Sequence, residues 1–382
     1  MSSFFKHLGM VAFALLPILS SAALQSGKVQ VGKVSGTVTI IDAKAQRKPL
    51  ANGATFQEGS LVETGVNSTA ELVFSNGASV VLTPNTLLQL RTFRQVPSAD
   101  ITDPYRQIEK DPSPSVTELE VPRGKIIGEV RKLNALSTFT VKTPAGLVRI
   151  RGTVFTVEYR VGPDGIGRIV VDCVRGSVET TVFSSNAGPV TVEPGMQASS
   201  AVASAALIDI LTKASAAAPG APKPPALSAA TLAVLSNPIQ IMVYPIPAED
   251  MAAIAALLGA NSTLNVEVAT TINAMAQTMP TRAQMFPNGP GVAPDKRYVT
   301  VITDQAPVPV VKGKPGAPNG PTTTTTGGSS SLDDTLKKIT DNVDRTVEQK
   351  QITPAASKTF SSFGKARLMP GLFIRRGFLR SL

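Results

Sequence analysis

The chain has no tryptophan, a single cysteine (Cys173) and a single histidine (His7), and aromatic residues make up only 5% of its 382 positions. Each shortage closes off chemistry. With one histidine near the amino terminus, Ser-His-Asp and Cys-His nucleophilic arrangements are out of reach, as are histidine-rich zinc and copper sites. One cysteine allows no intramolecular disulfide, no cysteine cluster for zinc and no iron–sulfur site. Scarce aromatics leave a core of Val, Leu and Ile and weaken any reading based on stacking against sugars. Long apolar runs are missing too. The run from Leu8 to Leu19 is interrupted by Pro17 and falls short of the roughly 20 residues that span a bilayer.

What is present at the amino terminus points to export. Lys6 and His7 precede the Leu8–Leu19 run, and Ser20-Ser-Ala-Ala23 supplies small residues suited to cleavage. Residues 1–23 therefore read as a signal peptide, and the protein as periplasmic or extracellular, with membrane association if that segment is retained.

The first half alternates with the period of a strand. Short runs at 36–42, 61–63, 70–74, 78–83 and 86–92 are bounded by turn residues, and Asn76-Gly77 predicts a type I′ hairpin turn. Residues 95–115, rich in Pro and Asp, read as an exposed insertion loop. Strands resume at 117–121, 124–131, 137–142 and onward through Val161. After the turn Gly162-Pro-Asp-Gly165 come 169–174, 177–182 and 190–192. In the most regular of these, Phe155, Val157, Tyr159 and Val161 alternate with Thr156, Glu158 and Arg160, which predicts one buried face and one wet face. Cys173 shares a face with Ile169 and Val171 and reads as a buried apolar thiol. The pattern is mainly β, and periodicity alone leaves sandwich, barrel and solenoid open.

Several motifs in this region fall in a recognisable order. They are Phe56-Gln-Glu-Gly59, Val62-Glu-Thr-Gly65, Ala70 through Pro84, Val141-Lys-Thr-Pro-Ala-Gly146, Arg151-Gly-Thr-Val-Phe-Thr-Val157, Arg175-Gly-Ser-Val178 and Pro194-Gly195. Over about residues 28–200 the chain resembles the FecR-like domain family. The resemblance implies a β-solenoid-like or sandwich-type stack of short strands. Within it, Gly146, Arg151, Gly152, Thr153, Phe155, Gly176 and Gly195 read as determinants of the fold and not as a site. Glycines there mark bulges or close backbone approach, and Thr153 is placed to satisfy a neighbouring backbone group. The best-understood members of the family are transmembrane regulators that carry iron-uptake signals from an outer-membrane receptor to a cytoplasmic sigma factor. Only a few residues precede the apolar run here, so the expectation is the extracytoplasmic domain without its anti-sigma segment.

Beyond residue 200 the composition shifts. Residues 201–237 read as an Ala/Pro-rich linker, and 238–300 as a small α/β appendage with a strand at 239–244. Pro247-Ala-Glu-Asp250 opens a helix in that appendage, and a second helix is expected at 264–277. Residues 301–331 read as a low-complexity linker, and 332–350 as an isolated amphipathic helix with Leu332, Leu336, Ile339, Val343 and Val347 on one face, or alternatively as a self-association helix. Residues 351–382 form a basic tail, expected to be disordered.

The net charge of +10 is concentrated in that tail, where Lys358, Lys365, Arg367, Arg375, Arg376 and Arg380 all follow the last acidic residue, Glu348. Interleaved Phe373, Ile374, Phe378 and Leu379 suit contact with an anionic membrane surface. Nucleic acid is not expected as a partner of an exported chain. Arg149, Arg151 and Arg160 read as a solvated basic face. For catalysis there remain only carboxylates without an organising motif: Asp100, Asp103, Glu109 and Asp111 in the insertion, and Glu118 with Glu120 on one strand face. A regular calcium-ligand spacing is missing as well. The sequence therefore predicts no enzyme and no cofactor. It predicts an exported module that binds an envelope protein or polymer, or alternatively a membrane-associated subunit of a sigma-regulator type signalling system.

Overall fold

The computed structural model describes residues 23–215, 227–261, 266–287 and 295–303. Almost all of the proposed signal peptide and of the 301–331 linker, and the whole of the 332–350 helix and the basic tail, lie outside those residues.

Alternating apolar residues between turns produce short strands throughout. The first group is β1 (Gln25–Ser26), β2 (Val29–Ser35), β3 (Val38–Ile41), β4 (Arg47–Pro49), β5 (Thr55–Phe56), β6 (Leu61–Thr64), β7 (Thr69–Phe74), β8 (Ser79–Leu82) and β9 (Leu87–Gln95). The second is β10 (Ser115–Glu129), β11 (Thr138–Thr143), β12 (Gly146–Ile150), β13 (Val154–Val161), β14 (Ile166–Arg175), β15 (Val178–Val182), β16 (Val190–Val192) and β17 (Met196–Ala203). Later come β18 (Gln240–Pro245) and β19 (Thr300–Thr303), with helices α1 (Ala205–Ser215), α2 (Ala229–Ser236), α3 (Ala248–Asn261), α4 (Val266–Ala276) and α5 (Arg282–Met285).

Two sheets result. The first runs β4, β3, β6, β9, β10, β11, β12, β15, β16, with β1 beside the far end of β9. The second runs β5, β2, β7, β8, β10, β13, β14, β17, β18, β19. All these pairings are antiparallel except β10 with β11. β10 belongs to both sheets, pairing with β9 as far as Arg123 and with β13 from Gly124 onward. The two strands expected at 117–121 and 124–131 are thus one. It passes between layers at Gly124, whose φ of +97° and close approach to Thr86 admit no side chain.

The inner faces meet in one core. Leu88, Leu90, Leu119, Val141 and Val148 of the first sheet pack against Leu72, Val80, Ile126, Val157 and Val171 of the second. A line of rings runs through it: Phe93 lies 5.1 Å from Phe74, Phe74 6.3 Å from Phe139, and Phe139 6.3 Å from Phe155, all edge to face. Such pairs add about 0.5–1.5 kcal/mol each beyond area burial. Phe155 fits because Gly128 faces it across β10 and β13.

The outer face of the second sheet is covered. Met251, Ile254 and Leu258, at the spacing of one helix face, seat α3 on Val81, Ile127, Val154 and Val174, and Ile272 and Ala276 of α4 complete that layer. The wet face expected for β13 is therefore wet only in part: Thr156 is fully buried, Glu158 half-buried, and Val161, assigned to the core face, is exposed.

Three further expectations change. Residues 201–237 are not linker throughout, because Leu207 and Leu211 of α1 and Leu235 of α2 bury against Ile166. The 95–115 segment is a packed flap. Tyr105 and Ile108 bury against Val73 of β7, and Asp111 is buried with hydrogen bonds from Ser115 Oγ (2.9 Å) and Ser137 Oγ (2.5 Å). At Asn76-Gly77 only Gly77 has positive φ, +84°. The Gly77 N–H donates to Phe74 C=O (2.9 Å), so a type I turn closes with a glycine bulge. The Asn76 side chain is occupied elsewhere, accepting from Ala78 N–H and donating to Ser115 Oγ.

Candidate functional site

Three regions combine polar side chains with defined geometry, and the first contains the motif residues. At the end of the sandwich where β12 passes to β13, β14 to β15 and β16 to β17, the connecting corners lie side by side. Gly152 (φ +84°), Gly176 (φ +89°) and Gly195 (φ +77°) occupy them. A Cβ on Gly176 would stand 2.7 Å from the Gly152 carbonyl oxygen, and one on Gly152 would stand 3.4 Å from Lys132 Cα. Gly146 faces the backbone of β15, where a Cβ would stand 2.6 Å from the Thr181 carbonyl oxygen. Phe155 is in the core and Arg151 is exposed at the corner. The Thr153 hydroxyl, expected to serve a backbone group, is buried without a hydrogen-bond partner among the described residues. Thr153 instead packs against the Gly176 corner.

The second region is a polar row beneath the helices. Strand register places Thr156, Asp172, Gln197 and Tyr244 side by side across β13, β14, β17 and β18. Asp172 is fully buried and accepts from Thr156 Oγ1 (2.5 Å) and Gln197 Nε2 (2.5 Å). Lys125 Nζ approaches to 3.6 Å of Asp172 and 3.9 Å of Glu158. Nearby, Arg282 pairs with Asp250 at the start of α3, and Tyr244 Oη lies 3.3 Å from Ser199 Oγ. Burial raises the Asp250 carboxyl above its ordinary value, partly offset by Arg282, and burial likewise raises the Tyr244 phenol. The sequence held one clue to this row, a carboxylate inside the apolar run Ile169–Val174. The arrangement surrounds a buried carboxylate with two hydrogen-bond donors and a cation.

The outer face of the first sheet is the third region, and among the described residues no helix covers it. A cross-strand row of Thr92, Glu118, Thr140, Arg149, Glu179 and Thr191 runs over six strands from β9 to β16. Its charges pair laterally: Arg149 with Glu179 at 2.7 Å, and Arg91 with Glu120 at 2.6 Å on the adjoining row. At one end a shallow cleft of about 330 Å³ is lined by Thr37, Thr39, Glu63, Val66, Asn85 and Arg123. Glu63 bridges Arg47 and Arg123 there.

The carboxylates named from sequence do not converge. Asp100, Asp103 and Glu109 are exposed, Asp111 is buried, and Glu118 and Glu120 are held by Thr92 and Arg91 on the sheet surface. Among the described residues no group of three His, Cys, Asp or Glu side chains is placed to hold a metal ion. Cys173 lies in the core opposite Phe155, and burial, with Glu193 adding to it, pushes its thiol up to about 12. Of the basic face, Arg149 and Arg160 are ion-paired, with Glu179 and Glu158.

Residues 60–179 match the family model described as "FecR protein". No curated protein matches the chain. Two crystal structures of a candidate anti-sigma factor from Parabacteroides distasonis ATCC 8503, at 1.65 and 2.50 Å resolution, are similar at 17% and 18% identity, each with a TM-score of 0.26. The alignment covers 36% of this chain and about half, 53%, of each of theirs. No helix among the described residues is long and apolar enough to cross a membrane.

Proposed function

We propose that this chain, which carries a FecR domain over residues 60–179, is a regulator in an envelope signalling system and works by binding another protein, not by catalysis. The observation that carries this reading is the family match. It takes in β6 through the first residues of β15 and so includes strands of both sheets and the strand they share. Signalling regulators are the best-understood members of that family, and nothing in such a role requires a reactive centre. A binding role is supported by the placement of the acids: Glu71, Asp111, Glu129 and Asp172 are buried, and those on the surface are spread over strands and flap. The uncovered face of the first sheet, broad and laced with Thr and ion pairs, is the surface such a partner would meet.

The test is crosslinking and capture of the native protein from fractionated cells, with its amino terminus read by mass spectrometry. Recovery from the inner-membrane fraction together with a receptor or sigma-regulator component is the expected result. Recovery only from the soluble envelope fraction, starting near Leu24 and without any such component, would overturn it in favour of a stand-alone binding module.

A further inference from the structure

The corners that need glycine also fix what stands beside them. Arg151 immediately precedes Gly152, and Arg175 immediately precedes Gly176, so the two arginines leave the body on adjacent rungs of the same seam. Arg131 and Lys132 hold the next rung, since Gly152 stands against the Arg131 carbonyl and Lys132 Cα. Lys110 of the flap joins by a parallel bridge to Lys132. Backbones on neighbouring rungs lie about 4.8 Å apart, so five cations line one narrow edge over a few strand spacings.

Their partners are few. Glu129, itself buried, lies 3.2 Å from Arg131 and 3.9 Å from the mostly exposed Arg175. Arg151, Lys132 and Lys110 are exposed and have no carboxylate within 4.0 Å among the described residues. Exposed acids on this edge are Glu109 on the flap and Glu193 at the last corner. Elsewhere on the same strands the cations are neutralised, Arg149 by Glu179, Arg160 by Glu158 and Arg168 by Asp164. Unpaired positive charge is thus gathered along this seam.

We propose that this seam binds a linear polyanion, a polymer bearing phosphate or carboxylate groups along its length. The cations form a line and not a pocket, which suits an extended chain more than a compact ion. Two arginines on adjacent rungs each offer planar donor forks to successive anionic groups. Attraction of this kind is long-ranged and screened by salt.

The experiment measures binding of the full chain to polyphosphate and to polygalacturonate at low and at near-physiological salt, with neutral dextran as control. Two variants remove the same charge: K132A/R151A takes unpaired seam cations, and R160A/R168A takes paired cations off the seam. Thermal melting confirms that both remain folded. If K132A/R151A fails to fold, the charge-reversing R151E alone replaces it. The seam variant should weaken binding about tenfold or more, while R160A/R168A stays close to the parent chain, and binding should fall with salt. Preference for polyphosphate or polygalacturonate then identifies the anionic group. Equal effects of the two variants, unchanged binding in the seam variant because the basic tail alone suffices, or no binding at low salt would each overturn the proposal.

Discussion

Gly176 lies against Gly152 so closely that a Cβ at position 176 would stand 2.7 Å from the Gly152 carbonyl oxygen, and its φ of +89° is one that residues with side chains rarely adopt. The corners of successive rungs meet with the Gly152 backbone and the Thr153 side chain against Gly176, and the Arg-Gly dipeptides are the local sequence that permits it.

Conformation and crowding can be separated there. G176A should cost more than about 2 kcal/mol, because left-handed backbone and a backbone collision act together. G188A, also at positive φ (+72°) but with open space around it, should cost only about 1 kcal/mol. Urea unfolding of both variants reads the difference, and equal losses would mean that close approach at the corner contributes nothing.

Asp172 is a charge committed to three partners. D172A leaves the Thr156 hydroxyl and the Gln197 amide without their acceptor and Lys125 with only Glu158, and should destabilise by about 3 kcal/mol or more. Replacing Asp172 together with its two hydrogen-bond donors, as T156V/D172L/Q197M, should cost less than D172A alone, because the donors are then removed with their acceptor and not orphaned. Chemical denaturation of the two variants decides it; a costlier triple variant would show that the row supplies net stability.

Glu71 gives the pH dependence a definite sign. It is fully buried against Arg106, and burial raises its carboxyl above the ordinary value of 4.5, with Arg106 opposing. The folded chain holds that proton more tightly than the unfolded chain does. The contribution of Glu71 to stability is therefore complete below about 4.5 and is lost as pH rises through the raised folded value. Melting temperatures of the parent chain and E71Q, compared from about pH 4 to 7, should diverge: the difference between them shifts in favour of E71Q as pH rises. Parallel curves would show that Glu71 ionises in the fold as freely as in the unfolded chain.

Strand positions were legible because alternation and turn residues are local, as at β6, β7, β11 and β16. What covers a strand was not. Thr156 and Glu158 read as solvent-facing because polar residues alternate there, yet α3 arrives from about a hundred residues away and shuts Thr156 in. Tyr105 and Ile108 sit in a Pro- and Asp-rich segment whose composition reads as loop, and only their docking on Val73 makes it a flap. Leu207 and Leu211 were hidden by the surrounding alanines in the same way. The corner glycines were visible as motifs, whereas the alignment of Arg131, Arg151 and Arg175 along one edge depends on strand register, which no single segment encodes.

Because β10 lies in both sheets, the two layers share one backbone at the centre of the molecule. Glu120 lies on the uncovered face, and five residues later Lys125 reaches the enclosed Asp172. The side chains that this shared strand sends to the two exteriors are thus only a few positions apart, one on the open face and one beneath the helices, with Gly124 between them.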